Sequence, residues 1–382
     1  MMLNEKLNSS AKKLVEDICR IKSGEKVLIV TNKTQKPLEE QDVFLISSAI
    51  YDAAIKVGAN VNLIVQSEKK SLDSADEIVL NGLKTEPDVF FSISENKLGK
   101  DSQGIKNPYT IEDSSYDHIF DYLLYGKKSM RAVWTPGITL DMFCRTVDID
   151  YDLLQRRCEN LCKLFENAKN VHVTAPSGTD ILVPVENRKA LTDDGIFYQV
   201  GTGGNIPAGE VFISPVVGNG IDLGCNGIIV FDGSISLNDG DLLIKNPIRV
   251  QVENGFVKNI AGSVEAEKLL ETITSAEKMA LEMEKNGQLL SGQGKVYCKN
   301  ARNIGELGIG LNPAAQITGN MLEDEKAFKT CHFAIGANYD GDAASLIHLD
   351  GVVKNPTIDI FYKNGEICRI MEDGVLTEKN TL

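Results

Sequence analysis

No stretch of this sequence approaches the roughly 20 consecutive apolar residues that a membrane span needs. The opening segment, Met1 to Lys22, spaces Leu3, Leu7, Ala11, Leu14, Val15 and Ile18 among Lys and Glu. That is the pattern of an amphipathic helix and not of a secretory h-region, so a cytoplasmic protein is expected. The eight cysteines form no CxxC pair. Reduced thiols are therefore expected in place of a disulfide framework or a Cys-rich structural zinc site, and Cys158 and Cys162, one helical turn apart, read as a helix face. Positive charge is also short: the formal net charge is -14. Phosphate-rich partners depend on Lys and Arg, so nucleic acid and anionic lipid are not expected partners. KVLIV (26–30) is followed by TNKTQ, with neither a G-x-G-x-x-G nor a Walker loop, which argues against a nucleotide function there.

What is present is enough for two domains, since 382 residues exceed the roughly 250 to 300 at which one core stops growing. Residues 1–150 alternate short apolar runs (26–30, 61–66, 88–93 and 131–136) with helical patterns such as 44–58, which predicts an α/β domain with a parallel sheet. The segment from Gly99 to Ser115 is polar and loop-like. A helix at 151–168 leads into residues 151–382, an α+β, β-rich region expected to bind metal. Its turn signals predict hairpins at 227–235 and at 248–262, the latter turning at Asn254-Gly255, and a helix covers 263–286. GTGGN (201–205) reads as a turn.

Several segments of the second region share one design. Side chains alternate along a strand, so in 306–311 Leu307, Ile309 and Leu311 share one face while Glu306 lies beside Gly308 and Gly310. In 331–336, Cys331, Phe333 and Ile335 face the core and His332 lies beside Ala334 and Gly336. His348 and Asp350, two apart, point the same way, and Glu210 opens a strand after the turn-former Pro207-Ala208-Gly209. Two of the four histidines thus fall on strands kept clear of bulk. If Glu210, Glu306, Glu325 and Asp350 converge with the two imidazoles, four negative charges need compensation, and two divalent cations such as Zn, Mn or Co balance them.

Five ordered blocks, 172–185, 204–215, 305–313, 321–339 and 347–350, resemble the M29 metallo-aminopeptidases, the aminopeptidase T/S group. The resemblance implies a co-catalytic metal pair held by Glu210, Glu306, Glu325, His332, His348 and Asp350, with Glu306 bridging or activating water. It also implies Tyr339 as the group that stabilises the oxyanion, a small peptide or aminoacyl substrate, and a homodimer. Asp340 and Asp342 read as turn residues. The segment between His332 and His348 is shorter than in that family, and the N-terminal third matches only as an α/β domain. Two other readings stay open. One is an Fe(II) ring-opening dioxygenase of the related dihydroxypyridine type, using His332, His348 and Asp350 alone. The other is a non-catalytic, metal-stabilised binding protein.

Overall fold

The computed structural model describes residues 2–70 and 73–377. Of the expected N-terminal helix, Met1 lies outside the described residues; the helix runs Met2–Lys13 and continues as a wider turn over Leu14–Ile18. The fold is mixed α/β, and it forms two compact units: 1–151 with 195–208, and 152–194 with 209–382.

The first unit is built on five parallel strands in the order 203–205, 131–136, 89–94, 26–33, 60–67. Its β-branched and aromatic runs make the three inner strands buried on both faces, as a parallel sheet covered by helices requires, and Val89–Ser94 is buried at every position. Helix Asp42–Lys56 supplies the crossover between the strands Lys26–Lys33 and Asn60–Ser67. Two expectations change here. The polar stretch from Gly99 to Ser115 contains one strand of a small hairpin, Tyr109–Ile111 paired with Ser114–Tyr116. Gly203–Asn205, expected as a turn, is an edge strand: a Cβ on Gly203 would stand 2.4 Å from the Ala132 carbonyl oxygen, so only glycine lets the backbones approach.

The second unit contains two antiparallel sheets. The seven-stranded sheet runs 240–243, 234–237, 348–354, 330–336, 304–310, 210–213, 191–193; the eight-stranded sheet runs 256–261, 248–253, 226–231, 180–184, 168–174, 357–362, 367–372, 375–376. The hairpin of Ile248–Glu253 and Phe256–Ala261 turns through Asn254 and Gly255, both with positive φ, as a tight two-residue hairpin needs. The expected hairpin at 227–235 does not form. Asn226–Phe231 and Ser234–Leu237 belong to different sheets, so Asp232-Gly233 carries the chain from one layer to the other. Phe231 lies over Gly351, where an added Cβ would meet its ring at 2.5 Å, and this brings the core face of one sheet against the other.

Leu307, Ile309, Leu311, Cys331, Phe333 and Ile335 are all buried on that core face. Phe333, fully buried, anchors the strand whose opposite face carries His332. Phe333→Ala is expected to destabilise the protein by about 3–5 kcal/mol, the usual loss for a large core ring. Denaturant unfolding followed by circular dichroism measures it, and a loss below about 1 kcal/mol would show that this face is not tightly packed.

Candidate metal centre

The opposite face of the seven-stranded sheet is where the ligand-type residues meet. Strand register places Glu306 beside Ala334 and Ala334 beside Asp350. It also places Gly308 beside His332, Gly336 beside His348, and Glu210 beside Gly310. The glycines are required by volume. A Cβ on Gly308 would lie 2.0 Å from His332 Nε2, so the imidazole occupies the space of the missing side chain. A Cβ on Gly310 would lie 2.1 Å from the Ala327 carbonyl oxygen, because the turn carrying Glu325 and Lys326 rests directly on that strand.

The face is not a solvated one. His332 is fully buried, and Glu306, Glu210 and Asp350 are nearly so. His332 Nε2 lies 2.9 Å from Glu306 Oε1 and 3.4 Å from Glu210 Oε2. His348 Nε2 lies 3.3 Å from Asp350 Oδ1 and 3.5 Å from Glu306 Oε2. His348 Nδ1 donates to the Ala337 carbonyl at 2.9 Å, which turns Nε2 toward the carboxylates. Six residues expected at the site therefore come together: Glu210, Glu325 and His332 form one group with metal-ligand spacing, and Glu306, His332 and Asp350 form another, next to His348.

Two charged residues in this cluster were not anticipated. Lys326, fully buried, places Nζ 2.6 Å from Glu210 Oε1, in contact with Glu325 Oε1, and 3.6 Å from Asp193 Oδ2. In the run Leu322-Glu323-Asp324-Glu325-Lys326 nothing separates a buried cation from the charged surface of a helix. Its neighbours Glu323 and Asp324 instead accept N–H groups of Gln316, Thr318 and Gly319 and shape the turn. Asp193 ends the short edge strand Leu191–Asp193, in a polar Thr-Asp-Asp-Gly sequence with no apolar alternation to mark it.

Charge sorts the acids into two sets. Burial opposes ionisation of Glu306, but the hydrogen bonds from His332 and His348 outweigh it and hold its carboxyl below the ordinary range. Asp350, likewise buried, is drawn down to about 2 by His348. Burial pushes Glu325 and Asp193 up to about 7 despite Lys326, and it raises Glu210. The imidazoles answer the acids: burial works against their charge, yet Glu306 and its neighbours lift His332 to about 9. This pocket therefore favours positive charge. Buried oxygens of Glu210, Glu306 and Asp350, and Nδ1 of His332, have no hydrogen-bond partner. Groups of this kind are costly to bury unless something binds them, and the oxygens and imidazoles suit a divalent cation.

Tyr339 lies at the rim, 60% exposed, its ring 5.0 Å from Phe212 and 5.3 Å from His348 between centroids. Asp340 and Asp342, expected as turn residues, both accept from Arg188, at 2.6 and 2.8 Å, so the turn that follows Tyr339 is clamped.

The family described as 2,5-dihydroxypyridine 5,6-dioxygenase (NicX) matches residues 149–361, which include every one of these site residues. The chain belongs to the NicX family. A curated 2,5-dihydroxypyridine 5,6-dioxygenase of Pseudomonas putida is 25% identical over 247 residues, a match spanning 60% of each chain. Among solved structures, the 2,5-dihydroxypyridine dioxygenase from Pseudomonas putida KT2440 superposes with a TM-score of 0.67 at 17% identity, covering 97% of both chains. Wild-type AmpT from Thermus thermophilus superposes at 0.65 with 15% identity, covering 98% of this chain and 99% of that one. These two likenesses show the fold alone. The peptidase expectation is overturned, and with it the hydrolase and protease assignments, because the matched family is one of dioxygenases. The error has a physical origin: the aminopeptidase and the NicX enzyme share this fold, and a fold that presents ligand-type residues does not dictate the reaction they serve.

The clearest structural dependence in this NicX-family site is that of His332 on Gly308. Gly308→Ala is expected to lower metal affinity at least about ten-fold by displacing the imidazole, with the far-ultraviolet circular dichroism unchanged. Metal affinity equal to wild type in the folded variant would show that His332 is not held as described.

Proposed function

We propose that this chain is a mononuclear ferrous dioxygenase that opens a dihydroxylated aromatic nitrogen heterocycle, the iron being held by His332, His348 and Asp350. One observation carries the reading: Lys326 is already inserted among Glu210, Glu325 and Asp193, whereas Glu306 and Asp350 face only the imidazoles of His332 and His348, groups that can exchange a proton for a metal ion. The expected pair of zinc, cobalt or manganese ions thus gives way to one metal. Two imidazoles with one carboxylate is a donor set suited to non-haem Fe(II). The chemistry named for the family and for its Pseudomonas relative supports the same reading.

Bound ferrous iron lets the ring and O2 react, with both oxygen atoms retained in the opened product and no external reductant consumed. The chain's residues supply the rest. Glu306, kept ionised between two imidazoles, is placed to accept a proton from a ring hydroxyl. The rings of Phe212 and Tyr339 beside His348 form an aromatic wall suited to a flat substrate. The hydrogen bond from His348 Nδ1 to Ala337 fixes the tautomer and orientation of that imidazole. Lys326 keeps the deeper acids from competing for a second ion.

Anaerobically purified protein loaded with Fe(II) is expected to bind one iron per chain. It is expected to consume one O2 for each 2,5-dihydroxypyridine, or close analogue, whose ring absorbance is lost. Two tightly bound metals per chain, or no oxygen uptake with any dihydroxypyridine, would falsify the proposal. Glu306→Gln is expected to slow turnover about 100-fold, the scale of a general base, while iron content by elemental analysis stays near wild type. Turnover close to wild type in that variant would remove Glu306 from the chemistry.

A further inference from the structure

The first unit contains a pocket lined only by its own residues, while the residues of the metal centre all belong to the second unit. Its five strands are parallel, so their carboxyl ends line one edge of the sheet, where open α/β sheets present ligand crevices. On one face, toward the amino ends, Leu28, Val30, Phe90 and Ala132 fill the core. Toward the carboxyl ends that filling stops. Ser92 pairs with Trp134, Ser94 with Pro136, and Trp134 with Asn205 on its other side, so Ser92, Trp134 and Asn205 form one row across three strands. Parallel strands covered on both faces normally continue in apolar residues. Two serines here leave volume unfilled, and the result is a cavity of about 560 Å³, within the roughly 300–1,000 Å³ of small-molecule sites.

The lining has a definite chemistry. Trp134 and Phe120 meet edge to face at 5.7 Å, and His118 and Tyr125 add further ring surface. Lys97 and Lys100 also line the cavity, and neither ammonium has an ion-pair partner among the described residues. Asp121 is the one acid in the lining. An aliphatic acid would leave the ring faces uncovered, and a neutral ring would leave both lysines unpaired. We propose that this pocket binds a planar aromatic carboxylate of one or two rings, with the ring against Trp134 and Phe120 and the carboxylate toward Lys97 and Lys100. Stacking supplies contact area and the two ammoniums supply selectivity for the acid over its amide.

Trp134 is the chain's only tryptophan, so its emission reports on this pocket directly. The full-length, metal-loaded protein is titrated under nitrogen with benzoate and nicotinate, then with benzamide, nicotinamide and hexanoate. A saturable change is expected with the two aromatic acids, and binding about two- to five-fold weaker with the amides, the size of one partly exposed ion pair. The preference should disappear in the Lys97→Ala/Lys100→Ala double variant, whose fold is checked by circular dichroism, and the response should persist in His348→Ala. No saturable change with either acid would overturn the proposal. So would equal affinity for acid and amide, or an undiminished preference in the lysine variant. Loss of the response in His348→Ala would place the ligand at the metal centre instead, leaving the dioxygenase reading intact and this one rejected.

Discussion

Buried negative charge is the constraint on which the rest of the second unit depends. Asp193, Glu210, Glu306, Glu325 and Asp350 all lie in or beside one face of a sheet, Glu210, Glu306 and Asp350 buried and Asp193 and Glu325 half-buried. Carboxylates in such a place stay ionised only beside positive charge, and where none is close their protonated forms take over. Lys326 answers part of the demand, and the imidazoles of His332 and His348 answer a further part. The glycines at 308 and 310 follow from the same constraint, because His332 and the turn bearing Lys326 reach this face only where the strand carries no side chain.

The sheet supplies positions of fixed register for the acids and imidazoles. A lysine ammonium is a compact point charge that can satisfy two carboxylates at once without offering a site for water or substrate. Placed as Lys326 is, it meets Glu210 and Glu325 together, whereas Glu306 and Asp350 meet the imidazoles of His332 and His348.

Much of the site was legible in the sequence because strand alternation is a local rule. Glu306 beside Gly308, His332 beside Ala334 and Gly336, and His348 two before Asp350 can each be assigned to a face without knowing the fold. The same rule identified the core residues Leu307, Ile309, Phe333 and Ile335, all of which are buried. It failed where the determinant was not local. Asp232-Gly233 has the composition of a hairpin turn, yet the two strands it joins pair in different sheets. Residues 201–205 look like a glycine turn, but Gly203 is small because the Ala132 carbonyl lies against it.

The sequence by itself determined the parallel α/β character of the first unit, the β-rich second unit, and the residue types available to a metal, since each rests on periodicity within one segment. Only the tertiary structure decided that Lys326 and Asp193 join the cluster, that Arg188 clamps Asp340 and Asp342, and that the histidine strands are buried on both faces. The reason is that charge compensation is a sum over groups distant in the chain.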